Sequence, residues 1–131
     1  MFQKSIKNSF ILEGKGLHFG KDARMIVHPA SADHGIVFKR TDVRDDHAYV
    51  KASFENVSKT YLRTQLTNSM GVSIITAEHI LAAFAGLGIH NALIELDGSE
   101  VPIFDGSSRI FVKASANKTR IKKFVTKPGG V

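Results

Sequence analysis

The sequence predicts an α+β fold, a two-layer sandwich in which a mostly antiparallel sheet is covered by two helices. Three features carry this expectation. Short β-rich segments separated by turn residues fill most of the chain before residue 76. Two later segments, 77–87 and 107–114, carry apolar residues at helical spacing. A further strand, Asn91–Leu96, falls between those helices.

Each element has its own warrant. Ser9–Leu12 is apolar and runs into the turn signal Glu13-Gly14-Lys15-Gly16. Arg24–His28 (RMIVH) stops at Pro29, and Gly35–Arg40 (GIVFKR) is a second β-branched run. Tyr49–Phe54 is a weaker strand. Leu62–Thr67 and Gly71–Ile75 are separated by Asn68-Ser69-Met70, the spacing of a hairpin with a short loop. The first helix is expected over Ala77–Leu87, with Thr76 as N-cap and Gly88 past its C-terminus. Ala77, Ile80, Leu81, Phe84 and Leu87 form its apolar face. The second helix is expected over Ser107–Ala114, with Ile110, Phe111 and Ala114 apolar.

The 131 residues fit one domain, and folding buries roughly two-thirds of the surface of such a chain. An apolar fraction of 43% and a mean hydropathy of -0.05 support a packed core rather than disorder. Residues 1–114 are expected to form the domain and 115–131 a basic tail or linker stub. The absence of cysteine excludes disulfides, zinc–thiolate sites and thiol nucleophiles. The N-terminus MFQKSIKNSF has no apolar run behind its lysines. The longest apolar stretch, Ile80–Ile89, is half the roughly twenty residues that a membrane span needs. A soluble, cytoplasmic protein is expected.

The formal charge of +6 is unevenly placed. Residues 1–112 hold 12 Lys/Arg and 12 Asp/Glu and sum to zero. Lys113, Lys118, Arg120, Lys122, Lys123 and Lys127 supply the whole excess and the isoelectric point near 9.7. Only Phe124 interrupts this basic segment with an aromatic ring, so a dedicated nucleic-acid platform is not favoured. A solvated tail is the simpler reading.

Three stretches hold residues fit for chemistry. Glu78-His79 opens the first helix: an imidazole can ligate a metal, and a neighbouring carboxylate can take the proton of metal-bound water. Position 83 is Ala, so the pair is not part of an HExxH motif. Ala82, Ala83 and Gly86 leave room beside this helix for a second body. Taken alone, the dipeptide reads more readily as Glu78 complementing the helix dipole and His79 as an ordinary surface or hydrogen-bonded residue. The stretch Gly14–Lys21 (GKGLHFGK) has three glycines but fails the phosphate-loop pattern at Asp22. His18 and Asp22 form an H-x-x-x-D string that a glycine-rich turn does not hold on one face. In Glu100–Ser107, Pro102 and Gly106 fix a loop, and Asp105 or Ser107 can cap the following helix. Six histidines (18, 28, 34, 47, 79 and 90) form no close sequence pair, and no GxSxG turn exists.

Taken together, three blocks resemble one family closely: GKGLHFGKDARMIVHPASADHGIVFKRTDV (Gly14–Val43), TYLRTQL (Thr60–Leu66) and ITAEHILAAFAGLGIHNALIELDGSEVPIFDGSS (Ile75–Ser108). The family is UDP-3-O-acyl-N-acetylglucosamine deacetylase, the zinc hydrolase of lipid A synthesis. The resemblance implies two similarly folded domains, each about the size of this chain, with the active site between them. It implies that Glu78 is the general base and His79 a zinc ligand. It places Leu62 beside the acyl-chain passage and brings the Gly16–Gly20 stretch, with His18, to the rim of the substrate site.

The departures bear on activity. The family's other zinc ligands lie on an H-K-x-x-x-D helix of the second domain, and this sequence has no such motif. Arg63 stands where the family usually has a small residue. A catalytic zinc takes three protein ligands plus water, and one is matched here. Base catalysis alone contributes about 10²–10⁴-fold, against 10⁶-fold or more for an enzyme. The chain alone is therefore expected to hold zinc weakly or not at all and not to deacetylate. It would act by binding or regulation in the lipid A pathway, through a protein partner or self-association on the face that the second domain normally covers. A UDP-acyl-glucosamine ligand remains compatible. The alternative is half of a deacetylase completed in trans or by self-association.

Overall fold

Strands are the commonest element among the described residues. The computed structural model describes residues 2–16, 20–53, 56–59, 64–103 and 121–125. In chain order the strands are β1 (Phe2–Ile6), β2 (Phe10–Gly16), β3 (Asp22–Pro29), β4 (Ile36–Arg40), β5 (Tyr49–Lys51), β6 (Val57–Lys59), β7 (Thr64–Thr67) and β8 (Ser73–Ile75). The helix α1 (Glu78–Leu87) follows, then β9 (Ala92–Leu96), β10 (Pro102–Ile103) and β11 (Ile121–Val125).

Six strands form the main sheet in the order β10-β2-β3-β9-β4-β5. Every pairing in it is antiparallel except β4 with β9. A parallel pair needs a long crossover, and the segment from β5 through α1 supplies it. The alternation of β3 sets the register: Ala23, Met25 and Val27 are buried, while Arg24, Ile26 and His28 face the other side. Val27 lies opposite Phe10 on β2 and Ile94 on β9, and Phe38 lies opposite Ile94 and Val50. These side chains form one layer of the core.

The other layer is α1. Ile80, Ala83 and Phe84 are buried on it and join Met25, Val27, Phe38 and Ile94 in one cluster. A ten-residue helix is marginal on its own, so this burial is its main support. Its C-terminus ends as the sequence indicates. Gly88 takes a left-handed conformation (φ 71°), and Ile89 donates its N–H to the Phe84 carbonyl at 2.9 Å.

Its N-terminus differs from the expectation. Thr76 is not the N-cap: Ala77 occupies that position, and no side chain caps the helix. Thr76 lies one residue earlier with φ 63°. The described residues hold this one α-helix. The expected second helix, Ser107–Ala114, lies outside them.

A three-stranded sheet, β6-β7-β8, contains the expected hairpin. Asn68 builds its turn: Oδ1 accepts the N–H groups of Met70 (2.9 Å) and Val72 (3.0 Å), and Gly71 supplies φ 82°. Four strands, β1, β6, β10 and β11, had no signal in the sequence. β1 pairs antiparallel with β11, which falls inside the basic segment 115–131. β1 is tied to the main sheet through buried Asn91, whose Nδ2 donates to Gln3 Oε1 at 2.8 Å. Asn91 Oδ1 accepts the Gly35 N–H at 2.8 Å, and its carbonyl accepts from Ser5 Oγ at 2.6 Å.

Phe38 is fully buried where the β4–β9 pair meets the helix layer. Phe38→Ala is expected to lower the unfolding free energy by about 3–5 kcal/mol. Urea denaturation followed by circular dichroism measures it.

Candidate functional site

Glu78 and His79 occupy the first turn of α1, Glu78 exposed and His79 half-buried. Ile80 is fully buried and points the helix into the core, so its two predecessors lie toward the outer face. Adjacent helical residues project about 100° apart, which spreads carboxylate and imidazole around the helix end. Ala82, Ala85 and Gly86 are exposed on the same helix, while Ala83 belongs to the core. The predicted small-residue face is thus divided, because Ala83 follows Ile80 at a spacing of three on the buried side.

The structure brings the three candidate stretches to one place. Glu100 is the meeting point and is 6% exposed. Its Oε2 accepts a hydrogen bond from Thr76 Oγ1 at 3.1 Å, two residues ahead of Glu78. Its Oε1 also lies so close to Gly16 that a Cβ there would sit 2.0 Å from it. Only glycine fits at position 16. Gly16 in turn closes the loop that carries His18: Gly20 donates to the Gly16 carbonyl at 3.0 Å, and Gly16 donates to the Lys21 carbonyl at 3.0 Å. Backbone bonds frame the junction. Ile75 donates to the Ser99 carbonyl at 2.8 Å, and Val101 donates to that of Ile75 at 3.1 Å.

His18 and Leu62 lie outside the described residues, as do Arg63, Asp105 and Ser107. Asp22, the far end of the H-x-x-x-D string, binds Lys15 Nζ at 3.0 Å on the surface. The remaining histidines are dispersed. His28 hydrogen-bonds Glu95 through Nε2 and Ser9 Oγ through Nδ1, the latter at 2.8 Å. His28 lies on the sheet face turned away from α1, as the alternation of β3 requires. His34 Nδ1 donates to the Gly35 carbonyl at 2.9 Å. His90 Nδ1 accepts the Lys4 N–H at 2.9 Å.

No three of the described His, Cys, Asp or Glu residues form a group able to hold a metal ion. Glu78 and His79 bring one carboxylate and one imidazole to the first turn of α1. Sequence reasoning treated Glu100 as loop structure and Thr76 as a cap. The available signal was an acid set directly before Val-Pro-Ile, where a carboxylate enters apolar surroundings and needs a donor.

The described residues form an α+β domain with a carboxylate and an imidazole on the first turn of its α-helix. Comparison with known proteins gives the family. The family of UDP-3-O-acyl N-acetylglycosamine deacetylases matches residues 3–127. The chain belongs to that family. The UDP-3-O-acyl-N-acetylglucosamine deacetylase of Phenylobacterium zucineum is 46% identical over 113 residues, 86% of this chain and 39% of the relative. Its namesake in Marinobacter nauticus is 42% identical over 135 residues, 95% of this chain and 44% of the relative. That of Nitrosococcus oceani is 48% identical over 110 residues, 84% of this chain and 36% of the relative. The chain thus spans well under half the length of these curated relatives.

Glu78 is exposed and His79 only half-buried, so neither contributes much to stability. Glu78→Ala is expected to cost at most about 0.3–1 kcal/mol through the helix dipole. His79→Ala should stay below about 1 kcal/mol. Gly16→Ala forces a methyl onto Glu100 and should cost about 1–3 kcal/mol. Chemical denaturation of the three variants side by side checks the contrast.

Proposed function

We propose that this chain carries the general base, Glu78, and one metal ligand, His79, of the family's zinc-dependent deacetylase site for UDP-3-O-acyl-N-acetylglucosamine, and that by itself it acts by binding or regulation rather than by catalysis. The observation that carries the reading is the placement of both residues on the outer first turn of α1, in a member of this deacetylase family. When bound, zinc polarises the amide carbonyl and makes its water more acidic. Glu78 takes the proton of the attacking water at its carboxylate and returns it to the leaving amine. His79 offers a neutral imidazole nitrogen. His18 and Leu62 contact the substrate, on the strength of the family resemblance.

With one matched ligand the chain alone holds zinc weakly and does not deacetylate. Its role is then binding or regulation in lipid A synthesis, in the cytoplasm. The exposed side of α1, with Ala82, Ala85 and Gly86, receives a second protein body or another copy of the chain. These small side chains permit close approach of a partner's backbone. A second reading is completion in trans by a polypeptide that brings the remaining ligands. The exposed Glu78 carboxylate at the helix start favours it, because a base facing outward is available to a site shared between two bodies.

The test is a deacetylation assay on the UDP-3-O-acyl-N-acetylglucosamine substrate with zinc counted in the same sample. The chain alone is expected to show no turnover and less than one zinc per chain. Turnover by the chain alone that Glu78→Ala abolishes, with zinc near one per chain or per dimer, overturns the non-catalytic reading. Turnover that arises only on adding a polypeptide with the H-K-x-x-x-D helix selects completion in trans.

A further inference from the structure

Thr76 is an outlier that the chemistry proposed above does not use. It is β-branched and fully buried, yet has φ 63°, a region that such residues rarely enter. The left-handed conformation crowds Cβ against the following carbonyl oxygen, and surrounding structure must hold it in place. The hydroxyl of Thr76 donates to the buried carboxylate of Glu100 at 3.1 Å. The backbone just before it is pinned as well: Ile75 donates to the Ser99 carbonyl and accepts from Val101.

Thr76 is also where the chain changes direction. β8 ends at Ile75 and α1 begins at Glu78, so the dihedral angles of Thr76 and Ala77 set how the first turn of α1 leaves the sheet. A buried carboxylate is costly unless it is hydrogen-bonded, and apolar side chains would fill the same space more cheaply. Glu100 touches Thr76 on one side and Gly16, the base of the Gly16–Gly20 loop, on the other.

We infer that Glu100 is a positioning residue: it locks Thr76 in the left-handed turn and thereby aims Glu78 and His79 outward from α1. The inference rests on the assignment of Glu78 and His79 as the reacting pair. The geometry itself does not depend on that assignment.

The discriminating feature is glycine at position 76, which takes φ near 63° at little cost and so makes the lock unnecessary. The experiment is NMR on the labelled 131-residue chain, reading the Glu78 and His79 resonances and hydrogen exchange of the Leu81 amide. That amide donates to the Ala77 carbonyl at 3.1 Å and reports the first turn. Glu100→Ala and Thr76→Val are expected to shift the Glu78 and His79 signals alike and to speed Leu81 exchange about tenfold, the factor implied by a strained left-handed residue let go. Combining the two should give less than the sum of the single effects, since both break the Thr76–Glu100 contact. Thr76→Gly with Glu100→Ala should return the signals to their wild-type positions.

Wild-type signals in Glu100→Ala, additive effects of the two single variants, or no rescue by glycine would each overturn the inference. If Glu100→Ala loses its dispersed core methyl signals, Glu100→Gln and Thr76→Val, which keep shape and remove charge or hydroxyl, carry the same comparison. Turnover is not the readout. A failed deacetylase reading therefore leaves this result standing, and a failed lock leaves the zinc and turnover results untouched.

Discussion

The structure depends on how one short helix is held against one sheet. Ten residues do not make a stable helix in water, so α1 exists because Ile80, Ala83 and Phe84 are buried against Met25, Val27, Phe38 and Ile94. Both of its ends are set by left-handed residues, Thr76 before it and Gly88 after it. At the C-terminal end glycine adopts this conformation freely. At the N-terminal end a threonine does so, and the neighbouring carboxylate and backbone bonds offset its strain. The outward direction of Glu78 and His79 follows from these contacts.

The two faces of the sheet are used differently. One face builds the core with α1. The other carries polar pairs such as His28 with Glu95, and Lys39, whose ammonium is held above its ordinary range by the hydrogen bond to Tyr49 and by Asp45. The chemistry is concentrated where the end of β2, the start of α1 and the segment before β10 converge.

Much of the fold was legible in the sequence. β2, β3, β4 and β9 have β-branched runs bounded by glycine, proline or aspartate, and the β7–β8 hairpin has Asn68 at its turn. β1 was not legible, because Phe2–Ile6 mixes lysine, glutamine and serine with apolar residues and pairs with a strand more than a hundred residues away. β11 was hidden by its two lysines inside a basic segment. Thr76 was misread for a definite reason. Threonine before a helical run is a good cap by local preference, but here its hydroxyl is taken by a carboxylate that local sequence does not reveal.

By itself the sequence determined the family, the α+β class and the identity of Glu78 and His79 as the residues to examine. Those conclusions rest on residue type and order, which are local and present in the unfolded chain. Only the tertiary structure decided that Gly16, Thr76 and Glu100 meet at one point, that the cap is absent, and that Ala83 faces inward. Each of these depends on contacts between segments far apart in sequence. Distant segments meet only once a common core has formed, and the φ angle of a residue such as Thr76 is then set by what surrounds it rather than by its own preference.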